Sequence, residues 1–418
     1  MAQSSGYDTL EDCRPMSATT VLQRCLASAL DPMHALRCQT LLLAVEALLA
    51  GRRLVLMDLA RSWLGAERIR APLKRLDRLL GNPRLHAERE RIYGGMVRWL
   101  VRSPEPIILV DWCRLKADGQ WHLLRAAVPV GGRTLTLFEM TFPERLLASP
   151  QAERHFLQRL KTLLPEHTRP ILVTDAGFRA PWCRTVAALG WHWVTRLRHR
   201  TQVKPADIVD TPDQWVPCRA LHPLVAPSRA RDLGLFDLVR SQPLQARLVL
   251  YAKAPQGRHH PTLQGGQRRS KSSRQCARRE AEPWLLAVSP SLRELPVPQV
   301  VALYRRRMQI ELGFRDLKSH RYGQAFEDSL TRKSERIDIL LLLHALAVFA
   351  AWLAGMAAEA DGCQHRLNPF ATQRRLYSLI RLGWEALTRR WLIQPVQTML
   401  DALHSLSPEA RQNMAVHA

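Results

Sequence analysis

The stretch Tyr304–Lys318, which reads YRRRMQIELGFRDLK, decides how this chain is interpreted. It contains no proline, and Gly313 is its only weak helix former, so the sequence predicts one continuous helix. At about 100° per residue, four polar side chains of this helix fall within an arc of roughly 60°. These are Tyr304, Arg307, Glu311 and Lys318. An adjoining arc is apolar and predicts the buried face, formed by Leu303, Ile310, Phe314 and Leu317.

The polar edge of this helix has two chemical interpretations. Glu311 can bind Mg²⁺ through oxygen, and the flanking cations Arg307 and Lys318 can then hold phosphate oxygens. Alternatively, the edge is solvated, and Arg307 pairs with Glu311 four residues later. The stretch alone leaves both interpretations open.

Charge balance narrows the class of partner. The chain has 418 residues, which predicts two to four domains, and its 46% hydrophobic content is sufficient for real cores. Its 61 Lys and Arg residues against 37 Asp and Glu residues give a net charge of +24. An excess of this size predicts a polyanionic partner such as DNA, RNA or an anionic membrane, and the alternative is a generally basic soluble protein.

Three features predict a cytoplasmic protein. The eight cysteines form no C-x-x-C pair and show no zinc spacing, which is typical of thiols in a reducing compartment. The first residues, MAQSSGYDTLEDC, lack the charged and apolar regions of a signal peptide. Residues Ile339–Met356 are apolar except for His344, and we interpret them as a buried core helix rather than a membrane span.

Residues 1–103 are predicted to form a helical DNA-binding domain. Short helical patterns end at Gly51, Gly65 and the Gly81-Asn82-Pro83 turn, which suits a helix-turn-helix arrangement. A solvated basic helix is the alternative. The basic side chains that predict DNA contact are Arg68, Arg70, Lys74, Arg75 and Arg78.

Strand patterns begin after Glu105. The stretch PIILVDW contains a short apolar strand that is predicted to end on Asp111. Two alternating runs joined by Gly131-Gly132 follow. A second apolar strand, RPILVTD, is predicted to end on Asp175. Helical patterns, QAERHFLQRLKTLL and APWCRTVAALG, precede and follow RPILVTD, and the strand pattern WHWVTRLR comes last. The resulting order βββαβαβ predicts a mixed sheet flanked by helices over residues 104–200. Residues 201–282 predict a β-rich basic insertion, in which Gly257–Arg279 is a basic loop. The core resumes over 283–360, and a helical C-terminal region occupies 361–418.

Three carboxylates of the chain are candidate metal ligands. Asp111 and Asp175 each end an apolar strand, where burial is costly unless a cation compensates. A strand-end turn or cap is the alternative for either aspartate considered alone. Together with Glu311 they predict two oxygen-ligated cations about 4 Å apart that carry out phosphodiester chemistry.

The same residues resemble a known family. The stretch Tyr304–Lys318 has the spacing Y-x2-R-x3-E-x6-K and resembles the Y-R-E-K signature of bacterial insertion-sequence DDE transposases. VDW at Asp111, TDAGF at Asp175 and KRLDRLLGNPRLH near the N-terminus resemble the cut-and-paste branch that includes the Tn-ten transposase. The likeness runs from about residue 35 to 360 and is weakest in the insertion and the C-terminal tail.

The resemblance implies an α/β protein with an RNase H-like catalytic core, interrupted by a β-rich insertion. It implies that Asp111, Asp175 and Glu311 form the catalytic, metal-binding triad, with Mg²⁺ as cofactor and Mn²⁺ as a substitute. Implied partners are double-stranded DNA, as transposon ends and target, a second copy of the chain in a paired-end complex, and host DNA-bending proteins. The implied location is the bacterial cytoplasm, in association with the nucleoid.

The resemblance also implies DNA contacts around the triad. Relatives flip a base near the transposon end and stack it on an aromatic side chain. By position, Trp284 is the candidate stacking residue, with a core tryptophan as the alternative, and Met308 is the candidate wedge. The residues implied to hold the transposon-end backbone are Tyr304, Arg307 and Lys318.

These expectations predict a transposase that binds terminal inverted repeats, nicks one strand, forms and opens a hairpin, and joins the ends to target DNA. Two alternatives remain open. One is a structure-selective nuclease with the same metals, and the other is a transposase-derived regulator that binds DNA without cleaving it.

Overall fold

Backbone contacts divide the chain into two units. Unit 1 combines Met1–Thr168 with Met308–Ala418, and unit 2 is Arg169–Arg307. The structure is a computed structural model and describes residues 17–198, 201–207, 214–254, 266–267, 270–369 and 376–391. The predicted helices of the C-terminal region beyond residue 391 lie outside the described residues.

The described part of unit 1 before residue 101 is helical, as the sequence predicts. Local signals set their ends: the Asn82 side chain accepts from the amides of Arg84 and Leu85 at 3.0 and 3.1 Å, which caps the helix that starts at Pro83. The third helix ends at Gly51, as predicted, and is followed by Arg52 in the left-handed region. The helices are α1 (Ala18–Cys25), α2 (Ala27–Leu30), α3 (Ala35–Gly51), α4 (Leu56–Arg61), α5 (Arg70–Leu80) and α6 (Pro83–Leu100).

The strands of unit 1 form the predicted antiparallel meander. Strands β1 (Ile107–Arg114), β2 (Trp121–Pro129) and β3 (Thr134–Pro143) lie in the order β3-β2-β1, and α7 (Pro150–Leu163) follows. Gly131 and Gly132 have φ values of 61° and 90°, which lets the chain turn tightly between β2 and β3. The register is the feature that matters below, because it aligns three charged side chains across the strands.

The second half of unit 1 is built around one long apolar helix. The described α-helices of this half are α11 (Met308–Lys318), α12 (Ser334–Ala360) and α13 (Leu379–Thr388), of which α12 is the long apolar one. Helix α12 packs against α1, α3, α5, α6, β3 and α13. Among the described residues it is the one helix long and apolar enough to cross a membrane, but 83% of its most apolar window is buried inside the protein. This burial favours the core-helix interpretation of Ile339–Met356.

Helices α12 and α13 approach each other closely at two glycines. A Cβ atom added to Gly383 would lie 1.7 Å from the carbonyl oxygen of Ala351, and one added to Gly355 would lie 1.9 Å from that of Leu379. Such distances are far below van der Waals contact, so the two backbones touch where glycine leaves space.

Replacing Gly383 with Ala is therefore expected to lower the free energy of unfolding by about 1–3 kcal/mol or more, because the helices must separate to admit the methyl group. Urea denaturation followed by circular dichroism measures the loss. The matched control is Gly81→Ala, where the nearest atom to the new Cβ is 3.6 Å away. An equal loss in both variants would show that helix packing at Gly383 is not the cause.

Unit 2 is a mixed sheet with three helices among its described residues. Its strand order is β4-β5-β10-β9-β8-β6-β7, in which β4 and β5 are parallel and the other pairs are antiparallel. The strands are β4 (Ile171–Thr174), β5 (His192–Leu197), β6 (Gln202–Pro205), β7 (Val216–Pro217), β8 (Ala230–Leu238), β9 (Leu244–Tyr251) and β10 (Trp284–Val288). The helices are α8 (Ala180–Ala188), α9 (Lys271–Ala281) and α10 (Val297–Arg306).

Two sequence predictions about secondary structure are wrong in part. The single helix over Tyr304–Lys318 is interrupted at Arg307, whose amide bonds to the Tyr304 carbonyl three residues back at 3.1 Å, a tighter turn than an α-helix makes. The basic loop over Gly257–Arg279 is helical from Lys271 onward, because the Ser270 side chain caps the amide of Ser273 and no proline or glycine follows. Residues 257–265 and 268–269 of that loop lie outside the described residues.

The observed elements make a mixed α/β protein with extensive sheet and many helices, as predicted. The four apolar side chains predicted for the buried face are buried. Exposure is 8% for Leu303, 0% for Ile310, 6% for Phe314 and 0% for Leu317. The functional domain boundaries remain a prediction.

Candidate active site

Asp111 lies in the middle of a strand rather than at its end. The predicted strand end is wrong because β1 continues to Arg114, held by pairing of Trp112, Cys113 and Arg114 with β2. Asp111 is 8% exposed, and its Oδ1 accepts from the Trp112 amide at 2.9 Å. A carboxylate this buried needs a compensating positive charge.

One such charge lies directly across the sheet. Arg125 on β2 pairs in register with Asp111 on one side and with Glu139 on β3 on the other. Arg125 Nε donates to Glu139 Oε2 at 2.7 Å, and the hydroxyl of Tyr93 donates to Glu139 Oε1 at 2.9 Å. Arg125 Nη2 is buried and has no hydrogen-bond partner in the described part of the chain. The arginine is therefore held by Glu139 and retains unsatisfied donor capacity.

The same arginine supports the helix that carries Glu311. Its guanidinium carbon lies 5.2 Å from the ring centroid of Phe314 on α11. A Cβ added to Gly313 would lie 2.8 Å from Thr134 Oγ1, so α11 packs closely on the meander at this point. Arg125 and Glu139 were missed by sequence reasoning, although one charged residue inside each apolar run, LLRAAV and LFEMTF, is a usable signal.

Burial also affects the protonation of Tyr93 in this cluster. The pKa of Tyr93 is raised well above its ordinary value, first by burial and then by the nearby Glu139 carboxylate. The phenol therefore stays protonated and can donate to Glu139. A buried Arg–Glu–Tyr arrangement of this kind fixes geometry at a cost in desolvation.

Glu311 is exposed in the first turn of α11, and Lys318 is half-buried in the last turn. Lys318 Nζ donates to the Arg114 carbonyl at 3.0 Å and lies 3.9 Å from Glu327. Met308, the first residue of α11, is 47% exposed and so is accessible to a large ligand. Unit 1 thus presents Glu311 and Met308 on a helix anchored beneath by Phe314.

Asp175 follows β4 directly, as the sequence predicts, and belongs to unit 2. It is half-buried, and its Oδ1 accepts from the Gly177 amide at 2.8 Å. The hydroxyl of Thr195 on β5 donates to the Asp175 carbonyl at 2.9 Å. Both bonds fix the loop. The loop also packs closely on the carboxylate, since a Cβ on Gly177 would lie only 2.9 Å from Asp175 Oδ1.

Tyr304 is buried instead of lying on an exposed edge, so that part of the helix-wheel prediction is wrong. Its ring is 3% exposed and meets Trp284 of β10 in a T-shaped contact with centroids 4.9 Å apart. The Arg307 guanidinium carbon lies 5.8 Å from the Tyr304 centroid. Burial raises the pKa of Tyr304, while the cations Arg307 and Arg196 act in the opposite direction.

Trp284 is also buried, with 6% exposure. Lys253 Nζ lies 4.3 Å from its ring centroid, and Tyr251 packs beside it with centroids 5.6 Å apart. The ring of Trp284 is therefore already contacted by neighbouring side chains in the structure. Its proposed stacking on a DNA base remains a prediction.

The basic residues predicted near the N-terminus are exposed. Helix α5 turns Pro72, Leu76, Leu79 and Leu80 into the core and leaves its cations in solvent. None of these cations forms an ion pair within the described residues. They are Arg68, Arg70, Lys74, Arg75 and Arg78.

The predicted metal ligands are distributed over both units, with Asp111 and Glu311 in unit 1 and Asp175 in unit 2. Within the described ranges, no group of three or more His, Cys, Asp or Glu side chains is close enough to hold a metal ion. The donor chemistry nevertheless fits a hard divalent cation, since all three residues offer carboxylate oxygens. Asp111 fits best, because a bound cation would offset the cost of burying its negative charge.

Comparison with known proteins identifies the family. The family described as transposase DDE domain matches residues 102–350, which include all three carboxylates. The chain belongs to the DDE transposases. The transposase is thus a DNA endonuclease and strand transferase, of a family that binds DNA and uses divalent metal ions. No curated protein matches the transposase.

Proposed function

We propose that this transposase moves its own element by cut-and-paste transposition. It binds the terminal inverted repeats, pairs two ends as a homodimer and belongs to the branch that resembles the Tn-ten transposase. The observation that carries the proposal is the joint occurrence, inside the matched region, of the Y-R-E-K spacing with aspartates on or directly after two apolar strands.

In the proposed RNase H-like core, Asp111, Asp175 and Glu311 would hold Mg²⁺. When bound, the ion would help activate a water or a 3′-hydroxyl and stabilise the leaving oxygen. The carboxylates themselves fix where that chemistry occurs, and Arg125 keeps the Asp111 strand and the Glu311 helix together from beneath. Water hydrolyses one strand and frees a 3′-hydroxyl. This hydroxyl attacks the opposite strand, which forms the hairpin and releases the flanking DNA, and a second water opens the hairpin before the 3′-ends join target DNA.

The flanking residues are proposed to hold the DNA. Arg307 and Lys318 contact phosphates of the transposon end, and Tyr304 acts mainly by orienting the Arg307 guanidinium beside its ring. Met308, exposed at the start of α11, is the proposed wedge, and Trp284 is the proposed stacking residue. Host DNA-bending proteins assist pairing in the cytoplasm, where the transposase associates with the nucleoid.

The experiment is a denaturing-gel assay on labelled duplexes that cover both flanks of the gene encoding this chain. With Mg²⁺, wild-type protein is expected to give a nick and then a slowly migrating hairpin, and Glu311→Gln to give neither. Cleavage without strand-transfer products would favour a structure-selective nuclease. Binding without cleavage in Mg²⁺ or Mn²⁺ would favour a non-catalytic regulator.

End binding is proposed to use the exposed cations of α5. Replacing Lys74, Arg75 and Arg78 together with Gln is expected to reduce the slope of log K against log salt by about 2 to 3, because each phosphate contact contributes about 0.9. Fluorescence anisotropy over a salt series measures this slope. The control is Arg24→Gln on α1, an exposed arginine whose loss is expected to leave the slope nearly unchanged. Unchanged slopes in both proteins would remove α5 from the DNA interface.

A further inference from the structure

Unit 2 contains a cleft that none of the roles above uses. Its volume is about 890 Å³, within the size range of small-molecule binding sites. It is bordered by the loop after Asp175, the start of α8, the end of β5 and the turn after β8. Its apolar walls are Phe178, Cys183, Leu197 and Leu238.

The charged lining of this cleft has one sign. Four arginines face it, and the lining includes no carboxylate among the described residues. They come from separate parts of unit 2 and are Arg179, Arg196, Arg198 and Arg240. We call this site the arginine cleft.

The positive charge is only partly balanced. Glu282 lies 3.3 Å from Arg196 and 3.0 Å from Arg198, so one carboxylate serves two guanidinium groups. Arg179 and Arg240 are exposed and form no ion pair within the part of the chain that the structure describes. Burial lowers the pKa of Arg196, and the cations Arg198 and Arg307 lower it further. Such an excess of positive charge next to apolar walls suits an anion that carries a flat apolar part.

A nucleotide of single-stranded DNA has that chemistry. Guanidinium groups bind phosphate oxygens in pairs and stack on base faces, and apolar walls cover the base. The location of the cleft indicates which DNA strand would reach it, because Ala176, the residue after Asp175, also lines the cleft. A DNA strand positioned at Asp175 therefore passes the arginine cleft.

We propose that the arginine cleft binds one or two unpaired nucleotides of the DNA strand that reaches Asp175. This proposal rests on the proposed function for the role of Asp175, but the binding itself needs no cleavage. It gives an unpaired nucleotide a second location besides Trp284, whose ring is 6% exposed and already contacted by Lys253 and Tyr304.

The first test is binding in EDTA, which removes divalent metal and separates recognition from cleavage. The probes are a fluorescein-labelled duplex from one flank of the gene, either blunt or with a three-nucleotide unpaired tail. Wild-type protein is expected to bind the tailed duplex about tenfold more tightly than the blunt one. The Arg179→Gln/Arg240→Gln variant is expected to lose this preference while its affinity for blunt DNA changes little.

The matched control is Arg229→Gln/Arg293→Gln, which removes two exposed charges elsewhere in unit 2. It is expected to keep the tail preference. If both double variants weaken tailed and blunt DNA equally, the cleft contributes only general positive charge and the proposal is wrong. If Arg179→Gln/Arg240→Gln keeps the full preference, the cleft does not bind the tail and the proposal is also wrong.

The second test locates the nucleotide directly. A 4-thiothymidine at the first unpaired position is crosslinked by light, and the attached peptide is identified by mass spectrometry. Attachment within 176–202 or 238–241 supports the arginine cleft, whereas attachment only to β10 at Trp284 overturns it. Glu311→Gln is expected to give the same crosslink, so a protein that fails to cleave can still confirm or reject this site.

Discussion

Asp111→Asn, Asp175→Asn and Glu311→Gln are each expected to abolish DNA cleavage while leaving end binding intact. Each change removes a negative charge from the proposed metal site but keeps the size of the side chain. A bound metal contributes several kcal/mol of transition-state stabilisation, and each 1.4 kcal/mol is about tenfold in rate. A loss of about a thousandfold or more is therefore expected in the rate of nicking.

Single-turnover nicking on labelled duplexes measures this loss, and a gel-shift assay in EDTA checks that binding is retained. Glu327→Gln is a suitable control, because Glu327 lies near Lys318 and has no proposed ligand role. Wild-type nicking by any one of the three variants would remove that residue from the triad. A parallel loss of binding would indicate damage to the fold instead of loss of a metal ligand.

Arg125→Met is expected to lower the free energy of unfolding by about 3–5 kcal/mol, the usual cost of breaking a buried ion pair from one side. The reason is that Glu139, 1% exposed, would lose its ion pair with Arg125 and keep the Tyr93 hydroxyl as its hydrogen-bond donor. Urea denaturation followed by circular dichroism measures the change.

The double variant Arg125→Met/Glu139→Leu is the informative comparison. It removes both charges, so its stability is expected to recover much of the loss. Arg133→Met is a control for a half-exposed pair, since Arg133 and Asp316 remain 26% and 32% exposed, and about 1 kcal/mol or less is expected. Equal losses of unfolding free energy for Arg125→Met and Arg133→Met would show that the buried pair contributes no more to stability than the half-exposed pair.

Local pattern was sufficient for much of the fold. The meander, the helix that ends at Gly51, the strand before Asp175 and the buried face of Ile310, Phe314 and Leu317 were all predictable, because each depends on periodicity or on turn residues near in sequence. The candidate carboxylates were chosen for a different reason: their motifs resemble those of a family. Their role as metal ligands remains a prediction.

Contacts between distant residues were not predictable from one sequence. β1 extends past Asp111 because β2 pairs with it, and Tyr304 is buried because Trp284 of β10 lies against its ring. The arginine cleft depends on residues from three separate stretches, so no short pattern could indicate it. The single charges of Arg125 and Glu139 inside apolar runs could have indicated buried polar residues, but their pairing with each other depends on the strand register, which one sequence does not show.

The position of α12 has a consequence for how the transposase is made. This helix covers α1, α3, α5 and α6, yet the ribosome synthesises it more than 200 residues after them. A polypeptide released early therefore has the proposed DNA-binding helices without the apolar helix that completes their core. For this reason we expect truncated products to compete poorly for the transposon ends, so that end binding by the proposed DNA-binding helices needs a chain that also carries Glu311.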